Sequence, residues 1–255
     1  MNKTTSILLR LLIPVGVLIL WLYATHFLDI SQSILPRISS VKDGFIELVK
    51  AGTLQKDISI SIVRVLRGYF FSILIGVLLG TLMGMSSSVY KIFHGSLTTI
   101  RQIPNIAWIP LIILWFGIKE LSKTVIIVMA AFFPIMTNTL NGILSTPQGY
   151  IELAQLYNLS KWKTFTKVYL PHALPHMLVG LKLGLGSSWM AVVAAELIAS
   201  SSGIGYRLSD ARSLMRSDVV IVCMIVIGIV GIIMDKLISL VFRFLTPWAK
   251  KKADV

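Results

Sequence analysis

Long apolar runs separated by short polar segments dominate the pattern of this chain. Six of them approach or reach the roughly 20 residues that a helix needs to cross a hydrocarbon layer about 30 Å thick. They are Ile7–Phe27, Val65–Met85, Ile103–Ile118, Val125–Leu144, Leu174–Ile198 and Val219–Phe244. The third run is the weakest, because Pro104, Asn105 and Pro110 interrupt it and a proline removes a backbone donor. The pattern predicts an all-α integral membrane protein with six transmembrane helices.

The composition agrees with a membrane protein. Hydrophobic residues make up 55% of the 255-residue chain and charged residues only 14%, whereas soluble domains carry about a quarter charged residues. The 24 Lys and Arg residues exceed the 11 Asp and Glu residues, which gives a formal net charge of +13. Because the basic residues are dispersed between the apolar runs, contact with membrane lipids explains them better than nucleic-acid binding. The single cysteine, Cys223, excludes a disulfide framework and a multi-cysteine metal site.

Three segments are predicted along the chain. Residues 1–54 form an N-terminal anchor helix and outer loop, residues 55–245 the membrane domain, and residues 246–255 a basic tail. The first run resembles a signal peptide, but no small-x-small cleavage site follows it, which favours an uncleaved anchor. Basic residues near the spans are equally numerous on the two sides, so the cluster at 250–252, directly after the last span, decides the orientation. It places both termini in the cytoplasm.

The outer loop, about residues 28–64, contains an amphipathic stretch from Val41 to Val49. Phe45, Leu48 and Val49 would share one face of a helix there. A short surface helix is therefore predicted before the second span.

Small residues recur at every fourth position of the second run. They are Gly68, Ser72, Gly76, Gly80 and Gly84. The fifth run repeats the spacing with Gly180 and Gly184. A stripe of small residues lets a neighbouring backbone approach closely. Two interpretations stay open: ordinary close packing, and helices that slide or rock against one another during transport.

The polar segment between the fourth and fifth runs, residues 146–171, is predicted to form a helix–turn–helix. Glu152 is expected in the first turn of a short helix, where the helix dipole favours a carboxylate. Asn158 is expected to stop that helix in the left-handed conformation. Ser160 would cap a second short helix, Trp162 to Leu170, which Pro171 would end. An apolar knob at the corner would consist of Leu156, Tyr157 and Leu159.

This segment resembles the cytoplasmic loop of type I permeases of binding-protein-dependent ABC importers. Their pattern is Glu-Ala-Ala, three residues, Gly, nine residues, Ile, one residue, Leu-Pro. The chain has Glu152-Leu153-Ala154, then Asn158, then Val168-x-Leu170-Pro171 at the same intervals, and it departs at Leu153 and Asn158. Further stretches are similar to the sulfonate/nitrate/taurine branch of these permeases. They are residues 61–68, 102–111, 114–117 and 193–196.

The resemblance implies a six-helix permease fold with a cytoplasmic coupling helix that docks on a separate ATPase. It also implies a second copy of the permease, two ABC ATPase subunits and an extracytoplasmic substrate-binding protein as partners. The chain has no Gly-x-x-x-x-Gly-Lys-Ser/Thr phosphate loop, so it is expected to be no enzyme and to hold no cofactor, with ATP and Mg²⁺ bound by the partner. The expected coupling residues are Glu152, Leu153, Ala154, Leu156, Tyr157, Asn158, Leu159 and Pro171.

The resemblance therefore implies a permease in a bacterial or archaeal cell membrane that imports a small solute delivered by a binding protein. A sulfonate, nitrate, taurine or a similar anion is the expected solute. Two alternatives stay open: an ion-gradient-driven secondary transporter, and an ABC permease of the same fold for an uncharged nutrient precursor. The secondary transporter predicts inverted repeats and midplane carboxylates, and neither is evident.

Three ionisable residues in or near the spans are candidates for functional polar groups, since such groups are expensive in a bilayer. Lys182 and Asp235 lie at similar expected depth and are predicted to pair between the fifth and sixth spans. Glu196 is expected to brace the outer end of the fifth span. His172 and His176 are four residues apart, but nearby prolines disrupt the helix and no third ligand is near. No metal site is expected.

Overall fold

The computed structural model describes residues 3–28 and 30–245, with side chains for 12–28 and 30–244, and its regular elements are all helices. The helices are α1 (Lys3–Phe27), α2 (Ile38–Lys50), α3 (Thr53–Met85), α4 (Ser87–Arg101), α5 (Asn105–Phe116), α6 (Glu120–Leu144), α7 (Gln148–Leu156), α8 (Lys161–Thr164), α9 (Leu170–Ala199), α10 (Ile204–Ser213) and α11 (Ser217–Leu245). A π-helical turn, Phe165–Tyr169, joins α8 to α9. The predicted basic tail lies outside the described residues.

Four stretches of helix are long and apolar enough to cross a membrane: Thr53–Met85, Glu120–Leu144, Lys161–Ala199 and Ser217–Phe244. The described apolar part of α1, Leu12–Phe27, is shorter. The pair α4 and α5 would form a fifth span, but it is bent by 99°. The third predicted run falls in α5, whose 12 residues are too few to cross a membrane alone, since Pro104 takes an extended conformation and separates α5 from α4.

Two expectations for the outer loop have different outcomes. The predicted surface helix is confirmed as α2, although its buried face is Val41, Gly44 and Leu48 while Phe45 is exposed. The loop boundary at residue 64 is wrong, because α3 already begins at Thr53. Asp57, Ser61 and Arg64 in this first part of α3 are buried against protein groups, whereas Gln55, Lys56 and Ser59 are exposed.

An ion pair ties α2 to the residue that precedes α11. Arg216 donates to both carboxylate oxygens of Glu47, with N–O distances of 2.9 and 2.8 Å. These hydrogen bonds hold the pKa of Glu47 below its usual value. The carboxylate is therefore charged at neutral pH, and the ion pair links α2 to the start of α11.

The stripe of small residues on α3 is the contact surface with α6. Contacts join Gly68 to Ile127, Gly76 to Ile135, Gly80 to Thr139 and Gly84 to Ile143. Because the residue numbers of the contact partners rise together along α3 and α6, the two helices run parallel. A Cβ added to Gly80 would lie 2.6 Å from the carbonyl oxygen of Met136, so only glycine allows this approach. Ser72, in the same stripe, donates a hydrogen bond from its hydroxyl to the carbonyl oxygen of Gly68 in the same helix, at 2.8 Å.

The helices α6 and α9 are antiparallel, because the residue numbers of the contacts rise along α9 as they fall along α6. A Cβ at Gly180 would meet Asn138 at 2.7 Å, and one at Gly184 would meet Ile135 at 2.8 Å. Ile135 lies between both neighbours of α6, because it also contacts Gly76. The central helix α6 is therefore closely packed on two sides.

Two ends of this bundle are distinguished below. The loop end is where α6 ends at Leu144 and where α7 and α8 follow. The network end is where α6 begins at Glu120 and where α10 packs against α9 and α11.

Candidate functional site

The helix α7 at the loop end begins at Gln148, directly after Pro147. Proline pre-sets the backbone for a helix start and has no N–H to satisfy. Because α7 begins there, Glu152 lies beyond the first turn, and the prediction that it occupies that turn is wrong. Glu152 is instead an exposed residue of the second turn.

The turn that ends α7 has the geometry predicted for Asn158. Asn158 takes φ +49°, in the left-handed region. The N–H of Leu159 donates to the carbonyl of Ala154 at 3.0 Å, and the N–H of Asn158 donates to that of Gln155 at 2.9 Å. This pair of bonds is the Schellman arrangement that closes a helix C-terminus. The turn fixes the angle between α7 and the chain that follows.

Apolar side chains project from this turn. Leu156 is 79% exposed and Tyr157 is 74% exposed, and Leu153 on the same short helix is also exposed. Ala154 is buried and anchors the turn. We call Leu153, Leu156 and Tyr157 the elbow. Between α7 and the π-helical turn lies a groove of about 470 Å³, lined by Tyr150, Leu153, Ala154, Tyr157, Leu159, Lys167, Val168, Pro171 and His172.

The second helix of the loop does not end at Pro171, and that prediction is wrong. Ser160 caps its start as expected, accepting the N–H of Lys163 at 3.4 Å. The helix then runs without interruption from Lys161 to Ala199. The N–H of Leu170 reaches back five residues to the carbonyl of Phe165, and this wider turn relieves the clash that a proline ring causes in an α-helix. The elbow is therefore attached to a continuous spanning helix.

A buried ion network occupies the network end. The carboxylate of Glu196, whose residue is 1% exposed, accepts hydrogen bonds from Arg64 at 2.8 Å, from Ser61 at 2.8 Å and from the N–H of Gly205 at 3.0 Å. Arg64 also pairs with Glu120 at 2.6 Å. A buried carboxylate needs such partners, since an isolated charge would be expensive there. The network joins α3, α6, α9 and the start of α10.

Two side chains of α3 accept hydrogen bonds from the backbone N–H groups at the start of α10. Asp57 accepts from the N–H of Gly203 at 3.1 Å, and Ser61 accepts from that of Ile204 at 3.0 Å. Arg207 on α10 also forms an ion pair with Asp57, with 2.9 Å between Nε and Oδ2. Negative groups are stabilised at a helix N-terminus by its dipole. The expectation that Glu196 braces its end of the fifth span agrees with this geometry.

The structure also brings Lys182 and Asp235 together. Lys182 Nζ lies 3.1 Å from Asp235 Oδ1, which joins α9 to α11. Both side chains are partly exposed, so the pair links two helices at the surface of the bundle. His172 lies in the groove beside the elbow.

Sequence reasoning missed Asp57, Ser61, Arg64 and Glu120. Asp57, Ser61 and Arg64 fall in the predicted outer loop, because the second apolar run begins only at Val65. Their spacing of four and then three residues is nevertheless the spacing of one helix face, and this signal could have identified a polar extension of α3.

Several helices of spanning length around a tightly packed core, with an exposed apolar elbow linked by a short turn to one span, are the features of a multi-pass membrane protein. The chain belongs to the family of binding-protein-dependent transport system inner membrane components, whose model matches residues 72–251. The resemblance to ABC importer permeases predicted from the loop pattern is thereby confirmed.

Named relatives are similar over most of the chain. SsuC of Bacillus subtilis (strain 168), named as an aliphatic sulfonates transport permease protein, is 35% identical over 93% of this chain and 86% of its own. The taurine transport system permease protein TauC of Escherichia coli (strain K12) is 34% identical over 90% of this chain and 82% of its own. A chain of the inward-facing MetNI methionine ABC transporter has the same fold, with a TM-score of 0.57 at 19% identity, covering 71% of this chain and 92% of that one.

Proposed function

We propose that this permease imports a small organic or inorganic anion, such as a sulfonate, taurine or nitrate, that a binding protein delivers. The names of the relatives support this solute class. Two copies of the permease would associate with two ATPase subunits, which bind ATP and Mg²⁺. The assembly would lie in a bacterial or archaeal cell membrane.

The observation that carries this proposal is the exposed elbow at the end of α7. Its apolar side chains lie on a loop between spans and not on a spanning helix, so lipid does not explain their exposure. Exposed apolar groups clustered in this way mark a protein-binding site. Lys161, Lys163 and Lys167 flank the elbow and would complement acidic groups on a partner. We assign the elbow to the ATPase interface, on the cytoplasmic side together with both termini.

The short connection from the elbow through the turn at Asn158 to the helix Lys161–Ala199 supports a mechanism. Closure of the two ATPases around ATP would displace the elbow, and the unbroken helix Lys161–Ala199 would carry the displacement into the core. Gly180 and Gly184 place α9 against α6, so the two helices would move together. The permease then has two global states, and each partner shifts the equilibrium by binding one state more tightly.

The experiment compares Leu156→Asp with Leu214→Asp. Both leucines are exposed, at 79% and 64%, but Leu214 lies at the opposite end of the bundle. In co-purification from membranes, Leu156→Asp should lower the recovery of the ATPase with the permease by about tenfold, since a charge would replace an apolar anchor at an interface centre. Leu214→Asp should leave the recovery unchanged. Equal recovery for wild type and Leu156→Asp would refute the assignment of the elbow.

A further inference from the structure

Two adjoining cavities lie along α6 beside α4 and the start of α5; one reaches α3 at Met83 and the other reaches α9 at Leu183. The first, of about 440 Å³, lies beside the bend between α4 and α5 and includes Asn105, Asn138 and Ser187 in its lining. The second, of about 330 Å³, lies nearer the loop end and includes His94 and Asn141. Both cavities are lined by Arg101 and Thr137, so these two residues form the boundary between them.

The guanidinium of Arg101 is at membrane depth. Arg101 Nη1 lies 3.4 Å from Thr137 Oγ1, and at a rise of about 1.5 Å per residue Thr137 is about 10 Å from the Leu144 end of α6. No carboxylate within residues 12–28 and 30–244 forms a salt bridge with Arg101. An arginine at such depth faces a water-filled cavity or the interior of an assembly and not lipid.

The lining around Arg101 offers polar groups to a solute at several positions. Asparagine, threonine and serine side chains occur in both linings, among apolar residues such as Leu97, Leu140 and Phe133. Hydrocarbon would not solvate these groups, whereas water or a second copy of the chain would. The volumes are large enough for a solute of a few heavy atoms, since small-molecule pockets begin at about 300 Å³.

We infer that the two cavities are consecutive parts of the solute path, and that Arg101 is its anion-binding group. This inference rests on the proposed function and specifies where the anion is recognised within the permease. A guanidinium presents a fork of N–H donors that matches two oxygens of a sulfonate or a nitrate. With no carboxylate partner, Arg101 exchanges its contact to Thr137 for the passing anion without breaking an ion pair.

A labelling experiment tests the cavity independently of transport. In a Cys223→Ala background, Thr137→Cys places a thiol at the boundary of the two cavities. Reaction with a sulfonate-bearing methanethiosulfonate and with its trimethylammonium counterpart is measured in the assembled transporter, each rate relative to a free thiol in solution. The anionic reagent should be favoured at least about tenfold, because one positive charge about 6 Å away acts on the two reagents with opposite sign and their difference is already about tenfold in bulk water.

Substitution of Arg101 decides whether that preference belongs to its charge. Arg101→Gln should abolish the preference for the anionic reagent, and Arg101→Lys should keep it. A preference that persists in Arg101→Gln, or a thiol that neither reagent modifies, would overturn the inference. The lysine variant guards against a loss that is due only to misfolding.

Uptake of ethanesulfonate by the complete transporter separates this inference from the proposed function. Arg101→Gln should lower ATP-driven uptake at least about tenfold, as expected for loss of a charge-assisted bond, while Arg101→Lys retains most of it. The exposed Arg243 on α11 provides the control, and Arg243→Gln should transport normally. Wild-type uptake by Arg101→Gln would refute the role of Arg101 alone. Absence of ATP-driven uptake of any anion by the wild type would refute the proposed function.

Discussion

At the scale of the residue, the network end depends on one guanidinium shared by two carboxylates. The side chain of Arg64 is 7% exposed and that of Glu196 is not exposed at all. Each charge is acceptable in the interior only because the other is present. The hydrogen bonds from Ser61 and Gly205 then satisfy the remaining lone pairs of Glu196.

Arg64→Gln should therefore destabilise the protein strongly. Removal of one partner of a buried pair leaves an uncompensated charge, at a cost of about 3–5 kcal/mol. The loss should appear as a lower unfolding temperature of the purified protein in detergent. The control is Arg67→Gln, since Arg67 is exposed on the next turn of α3 and its removal should cost less than about 0.5 kcal/mol. The double variant with Glu196→Gln should regain stability, and no regain would show that the pair is not the cause.

Some residues of this network can be recognised from the sequence, and others cannot. Glu196 is conspicuous because it is a carboxylate inside an apolar run. Arg64 and Asp57 are not, since charged and apolar residues alternate around them and the continuous apolar run begins only at Val65. Which acceptor meets which donor depends on the fold over more than a hundred residues of separation, and no local pattern contains that information.

At the scale of the element, the small residues of α3 set the distance to α6. Gly80→Ala should destabilise the helix pair by about 1–3 kcal/mol, because its Cβ would overlap the backbone of α6 at Met136. Gly186→Ala is the matched control, as its Cβ would meet no atom within 4 Å and alanine is the better helix former by about 1 kcal/mol. Thermal unfolding should show opposite signs for the two variants. A neutral Gly80→Ala would contradict the close approach of α3 and α6.

The left-handed turn at Asn158 offers a second test at this scale. Asn158→Gly should keep ATPase activity coupled to solute, since glycine takes a positive φ without strain. Asn158→Val should lower the coupled activity by about tenfold, because a β-branched residue at φ +49° is strained and would open the angle of the elbow. The measurement is solute-stimulated ATP hydrolysis by the reconstituted complex. Equal activity of the two variants would show that the turn geometry is irrelevant.

Helices with long apolar runs were predictable, and irregular ones were not. The runs around α6 and α11 have clear lengths, and the conformation of Asn158 follows from its place at the end of a short apolar helix. The continuity of the helix through Pro171 could not be predicted, because it depends on a π-helical turn that has no distinct sequence pattern. The helix α4 was missed because its apolar residues are too dispersed to form a spanning run.

At the scale of the whole molecule, the two ends have different roles around one core. The network end is cross-linked by buried ions, whereas the loop end presents an exposed apolar elbow. The helix α9 connects them, since it begins beyond the elbow and carries Glu196 in its last turn. Force applied at the elbow would therefore pass along α9 towards the rigid network end. The helices that line the two cavities lie between these two ends and would move.

The most direct test of this account is uptake of ethanesulfonate into vesicles that contain the permease, its ATPase and its binding protein. The account predicts that uptake requires internal ATP, survives collapse of ion gradients, falls at least about tenfold in Leu156→Asp as an interface anchor is lost, and is normal in Leu214→Asp. Uptake that persists without ATP and stops when the ion gradient is collapsed, or uptake that is unaffected in Leu156→Asp, would contradict it.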